Sequence, residues 1–268
     1  FAEINSLDFY IYNFPVSAIP VSVYSDHANA VIASINPMEF AGVFRPHTEI
    51  VNGVIEKLTY PENEFWCSQG PNLMFFSGEE PHIRWGAYSE CIFALAEKFA
   101  VKQFYFVGSV ASAIPHTREP RIHASVPTAD LKSPLEGADI GFTDYEGPAS
   151  IVTSLARQSV ARGIEMTSLV VEVPHYPFLD VATYPKSILK ATATLSRLLE
   201  LDLSLADLRQ SADVAEARLN ATMQENDEFG ELVAKLEQAY DSEQSGADEE
   251  RLRRLIHSID LEEDNDQS

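Results

Sequence analysis

The chain has 268 residues, 45% of them hydrophobic, and a formal net charge of −22. That length buries a real core and makes one large domain or a domain with an appendage. So acidic a balance excludes nucleic acid and anionic membrane surfaces as partners, because phosphate contacts need clustered Lys and Arg.

No apolar run reaches the ~20 residues that span a bilayer. The opening stretch FAEINSLDFY has no basic region followed by an apolar one, so no secretory signal is expected. It also lacks an initiator Met, so upstream residues are expected to be missing. Two cysteines, Cys67 and Cys91, make neither a disulfide framework nor a zinc site. Both read as small buried hydrophobes in a reducing cytoplasm.

In chain order, FYIYNF (9–14) is aromatic and β-branched, the composition of a strand. VFRPHTEIVNGVIEKLTY (43–60) places Asn52-Gly53 between two alternating runs, which predicts a hairpin that adds an antiparallel part to a mixed sheet. NLMFFSG (72–78) reads as a short buried strand. The helix predicted over 85–100 has its apolar stripe at Ala87, Cys91, Ala94, Leu95 and Phe99. QFYFVGSV (103–110) is the next strand. A helix over 147–163 follows, with Pro148 in its first turn and Gly163 at its C′ position. MTSLVVEV (166–173) is a strand, and 184–201 a helix with Pro185 near its start. Strands alternating with helices of ~15 residues predict an α/β domain over residues 1–200 whose mixed sheet is mostly parallel.

Composition changes near residue 200. The last 68 residues hold 19 acidic and 6 basic side chains, so 201–268 is expected to be an acidic helical extension. Ser204 with Asp207 resembles a capping arrangement. Leu205, Leu208, Ala212, Ala215 and Leu219 form one stripe, and Phe229, Leu232, Leu236 and Tyr240 a second, with Gly230 as an interruption. A third helical segment is expected over 247–261. The stripes read as internal packing, or alternatively as an oligomer seam.

Four of the seven histidines follow a proline: His47, His82, His116 and His175. Three of these pairs lie just beyond predicted strands, where proline, which cannot donate to a ladder, ends the pairing. Ligands of open α/β sheets bind at the carboxyl ends of the strands. His82, His116 and His175 are therefore expected to gather with Thr117, Arg118, Glu119, Arg121 and Glu172. Tyr145 and Glu146 lead into a helix N-terminus that favours anions and are expected to join them. The motif content offers no nucleophile elbow, Walker loop, dinucleotide fingerprint or zinc helix, so no catalytic residue, cofactor or metal is assigned.

AIPHTREPRIHASV, together with YEGPASIVTSLARQSVARGIEMTSLVVEVPHY, resembles the proteasome assembly chaperone two (PAC-two) family. GEEPHIRWGAYSECIFALAEKFAVKQFYFVGSV fits the same pattern, and the resemblance runs over residues 33–240. It implies a three-layer α/β/α sandwich similar to the phosphorylase/hydrolase-like fold. It also implies oligomerisation and, in many bacterial members, an acidic helical C-terminal extension. Archaeal and eukaryotic relatives help to assemble proteasomes. The expected function is thus a non-enzymatic, cytoplasmic, homo-oligomeric chaperone or protein-interaction module that takes a small anionic ligand at the Pro-His edge. The alternative is a hydrolase- or phosphorylase-type enzyme using His116 and His175 with Arg118 and Arg121.

Overall fold

The computed structural model describes residues 7–13, 21–23, 31–36, 40, 46–59, 63–68, 72–176 and 184–243. The expected segment 247–261 lies outside them. The chain forms two compact units. The first holds Phe1–Gly108, Arg121–Val171 and Thr194–Asp202, and the second Ser109–Pro120, Glu172–Ala193 and Leu203–Ser268. The chain passes between them at five points, the last at 202/203.

The fold is α/β with a mixed sheet. Nine strands lie in the order β10-β9-β11-β8-β1-β7-β6-β3-β2. At its centre β1 (Leu7–Asn13) pairs in parallel with β7 (Leu73–Gly78) and with β8 (Val101–Ser112). β6 (Glu64–Cys67), β3 (Val31–Ile35) and β2 (Val21–Val23) extend one side through antiparallel ladders. On the other side, β9 (Ile122–Ser125) pairs antiparallel with β11 (Glu165–Pro174) and parallel with β10 (Gly141–Phe142).

In the first unit, β7 shows the period of two that a strand imposes: Met74 and Phe76 are buried while Phe75 between them is exposed. Helix α1 (Trp85–Lys98) carries the chain from β7 to β8, two strands parallel to β1. Its buried stripe runs through Tyr88, Ile92 and Ala96 as well as the expected Cys91 and Leu95; Ala87 and Phe99 pack half-buried against the same core, and Ala94 alone of the expected stripe faces solvent. Met74, Phe76, Phe104, Ile92, Leu95, Leu155 and Met166 belong to one core cluster.

Helix α2 (Ile151–Ala161) starts three residues after Pro148, contrary to expectation. Ser150 makes no side-chain cap; instead Glu80 Oε1 accepts the Ile151 N–H at 2.5 Å. This partner is 71 residues away and left no local trace. The other end follows the expectation. Gly163 has φ of 65°, its N–H donates to Val160 O, and Ile164 N–H donates to Ser159 O. These are the paired bonds of a Schellman closure.

The hairpin is made of β4 (His47–Val51) and β5 (Val54–Thr59), with Asn52 and Gly53 both at positive φ. It does not join the main sheet but forms its own two-stranded one. The antiparallel character of the main sheet comes from other ladders. Every hairpin residue from His47 to Thr59 is exposed.

In the second unit, α3 begins at Pro185, as its pre-set φ favours. Helix α4 (Ala206–Glu225) follows, and α5 occupies 227–243. The expected Ser204 cap is not used: Leu205 occupies the cap position without a side-chain bond. Asn226 instead starts α5, its Oδ1 accepting the Phe229 N–H at 3.0 Å. Gly230 does not interrupt α5, since its own N–H bonds Asn226 O. The unit's core combines Val173, Tyr176, Tyr184, Leu219, Phe229 and Val233. Of the expected stripe, Phe229 is buried and Leu236 packs against this core, while Leu232 is exposed and Val233 takes the inner place.

Asn63 ties three strands of the first unit together. Its Nδ2 donates to Ile35 O at 3.0 Å, and its Oδ1 accepts the Glu79 N–H at 3.1 Å. A Cβ on Gly78 would lie 2.3 Å from that Oδ1 and 2.7 Å from the Phe76 ring. Gly78→Ala is therefore expected to destabilise the chain by about 1–3 kcal/mol, measured as a lowered denaturation midpoint. A midpoint equal to wild type would show that Asn63 yields freely.

Candidate functional site

In the second unit, β8 ends at Ser112 and the chain turns through Pro115, His116, Thr117, Arg118 and Glu119. Arg118 N–H closes a turn on Pro115 O at 3.2 Å. His116 is fully buried. Its backbone N–H donates to the Tyr176 hydroxyl at 2.9 Å, and its Nδ1 lies 3.0 Å from the same oxygen. Nε2 lies 3.2 Å from Asn220 Oδ1, which only accepts. Nε2 therefore carries the proton, and Nδ1 accepts from the Tyr176 hydroxyl. The ring stacks on Phe229 at 5.9 Å between centroids and meets Tyr176 edge-on. Burial pushes the His116 pKa below its ordinary value, against the Asn220 bond and Glu216, which favour the cation. The neutral ring holds three pieces of chain together.

The next three residues grip α5. Thr117 Oγ1 donates to Glu237 Oε1 at 2.5 Å, and Arg118 Nη1 donates to the same oxygen at 3.0 Å. Arg118 also forms a two-pronged pair with Asp241, Nε to Oδ1 at 2.8 Å and Nη2 to Oδ2 at 2.7 Å. The guanidinium holds the Asp241 carboxyl below its ordinary pKa, chiefly through these bonds. Tyr240 donates its hydroxyl to Glu119 O at 2.9 Å. From α3, Lys186 Nζ donates to His116 O at 3.0 Å and to Glu216 at 2.6 Å, with Glu119 at 3.8 Å. Beside the loop, α3 and α4 form a cleft of about 520 Å³ lined by Thr117, Glu119, Lys186, Lys190, Arg209 and Glu216, among others.

The other expected site residues divide between the units. In the second, buried Glu172 accepts from Ser112 Oγ at 2.9 Å, and its carbonyl accepts from Ser187 Oγ at 2.7 Å. His175 is exposed, with its N–H on Ser112 O. In the first, His82 is exposed after β7, with its N–H on Phe40 O. Arg121 is half-buried just before β9. Tyr145 and Glu146 are exposed in the segment before α2, and the Tyr145 hydroxyl donates to Pro148 O at 3.3 Å. His116, Thr117, Arg118 and Glu119 thus share one hydrogen-bonded cluster.

Sequence reasoning missed Tyr176, Asn220, Glu216, Glu237, Asp241 and Lys186. One signal was available: Glu216 with Asn220, and Glu237 with Asp241, are spaced four apart on acidic helices and so share a face. Among the described residues, no group of three or more His, Cys, Asp and Glu is placed to hold a metal, and no helix is long and apolar enough to cross a membrane.

Two outcomes are expected. A histidine near pKa 6.5 when unfolded and lower when folded adds stability above pH ~6.5, and this is lost as pH falls toward the folded value. Between pH 7.5 and 5, wild type should lose more melting temperature than His116→Gln; parallel curves would remove His116 as the cause. Arg118→Ala should speed amide exchange across 227–243 and leave exchange in α1 unchanged. Equal protection of α5 would show that the ion pairs do not anchor it.

The family model of the PAC2 family matches residues 25–223. None of the curated proteins matches the chain. Among solved structures, it is similar to a Corynebacterium glutamicum protein of unknown function, at 24% identity and a TM-score of 0.70, covering 90% of this chain and 92% of that one. It is also similar to a Streptomyces avermitilis PAC2 family protein, at 22% identity and a TM-score of 0.63, over 84% and 100% of the two chains. A Mycobacterium tuberculosis proteasome-assembly chaperone homologue is 25% identical with a TM-score of 0.60, over 70% and 80%. With the family matched over most of its length and the α/β fold in agreement, the chain belongs to the PAC2 family.

Proposed function

We propose that this chain is a non-enzymatic, chaperone-like protein-interaction module that works in the cytoplasm as a homo-oligomer. The β4–β5 hairpin carries this reading. Ile50, Val51, Val54, Ile55 and Leu58 are each 46% to 67% exposed. A two-stranded hairpin is marginal in water by itself, and open edges with aliphatic side chains are a template for pairing with another chain. Likeness to a protein described as a proteasome-assembly chaperone homologue supports the same reading. So does the commitment of His116 and Arg118 to α4 and α5, which leaves these groups structural work in place of acid–base chemistry.

Support for the small anionic ligand of this reading comes from the cleft between α3 and α4, where Lys186, Lys190 and Arg209 stand among Thr117, Glu119, Asp213 and Glu216. That volume lies within the ~300–1,000 Å³ usual for small-molecule sites.

Light scattering on the full chain should give a mass above that of one chain. The double variant Ile50→Glu with Ile55→Glu should lower it while leaving the circular dichroism unchanged. Pull-down from the native cell should recover protein partners with wild type and fewer with the variant. A monomeric wild type that captures nothing would end this reading.

A further inference from the structure

The first unit contains a second, smaller cleft, of about 90 Å³, at the carboxyl end of β7. Its walls come from α1, the first turns of α2, and β7 and β8. Tyr88, Ile92, Phe106, Leu155 and Phe76 make it mainly apolar and aromatic. Among the described residues its charged lining is the pair Glu79 and Glu80, directly after β7, with no Lys, Arg or His side chain in its wall. The size excludes a nucleotide or a drug-sized ligand, whose sites run ~300–1,000 Å³. The sign of the charge excludes an anion. What remains is a single aliphatic chain with a cationic or strongly donating end.

The two carboxylates differ. Glu80 is engaged, with Oε1 on the Ile151 N–H at the start of α2. Glu79 is half-buried, its backbone N–H is held by Asn63 Oδ1, and among the described residues no Lys or Arg forms a salt bridge with it. Burial raises its pKa, outweighing the attraction of nearby His82. A carboxylate partly withdrawn from water beside an apolar cleft gains when a cation is supplied. The cleft also lies where ligands of open α/β sheets bind, beyond the carboxyl end of a central parallel strand.

We infer that this cleft recognises an aliphatic chain ending in a cation, with the chain against Tyr88, Ile92 and Leu155 and the charge at Glu79. A Lys side chain of a protein partner and a free alkylammonium share this chemistry; the first source rests on the protein-interaction reading, the second does not. It is a site separate in residues from the α3–α4 cleft.

The test titrates the full chain with n-butylammonium chloride, sodium butyrate, ammonium chloride and Nα-acetyl-lysine methylamide at matched ionic strength, following methyl and aromatic NMR signals. Butylammonium should give saturable shifts at Tyr88 and Leu155 in the millimolar range, and butyrate and ammonium none. Glu79→Gln should weaken binding tenfold or more. Val152→Phe, which fills the cleft from its half-buried rim, should abolish it while the remaining spectrum stays native. Tighter binding of the blocked lysine assigns the site to a protein side chain, and binding of butylammonium alone to a free amine. Equal binding of butyrate, no binding of either amine, or an unchanged affinity in Glu79→Gln overturns the proposal. None of these variants touches Ile50 or Ile55, so the oligomer mass is read independently.

Discussion

A segment with 19 acidic and 6 basic residues repels itself, and helices drawn from it cannot pack unless their carboxylates are met by cations from elsewhere. Arg118 and Lys186 meet that constraint. One sits in a loop after β8 and takes Glu237 and Asp241 of α5; the other sits on α3 and takes Glu216 of α4. The apolar stripe of Leu219, Phe229 and Val233 then packs with Val173, Tyr176 and Tyr184. Exposed ion pairs are individually weak, about 0–1 kcal/mol. Here they act beside a buried histidine whose two ring nitrogens are both bonded.

The α/β class, the central strands, the Schellman end of α2 and the Asn52-Gly53 turn were legible because each depends on local chemistry: periodicity, a proline, a glycine at positive φ. What escaped was set by distant residues. The start of α2 follows Glu80, not Pro148. The partners of His116 are 60 and 104 residues away. The hairpin was legible as a hairpin, but its separation from the main sheet was not, since alternation does not say which face meets a core.

The loop's composition fits two roles for a physical reason. Imidazole, guanidinium, hydroxyl and carboxylate are the groups that do chemistry, and they are also the groups that make strong hydrogen bonds when partly buried. Two imidazoles and two guanidiniums within eight residues read as an active edge. In the second unit, His116 and Arg118 form a clasp. Of the two clefts, the one between α3 and α4 mixes cations with carboxylates, while the one in the first unit has the carboxylates that follow β7.

The clasp joins residues about 120 positions apart in the chain, as Thr117 to Glu237 and Arg118 to Asp241. Synthesis proceeds from the N-terminus at ~5–20 residues per second. For roughly 6–24 s after Arg118 is made, therefore, its partner on α5 does not yet exist. Through that interval the side chains of His116, Thr117 and Arg118 lack the helices that later enclose them. The second unit closes only once α5 has been made, so truncation ahead of Glu237 removes the clasp and leaves those side chains open.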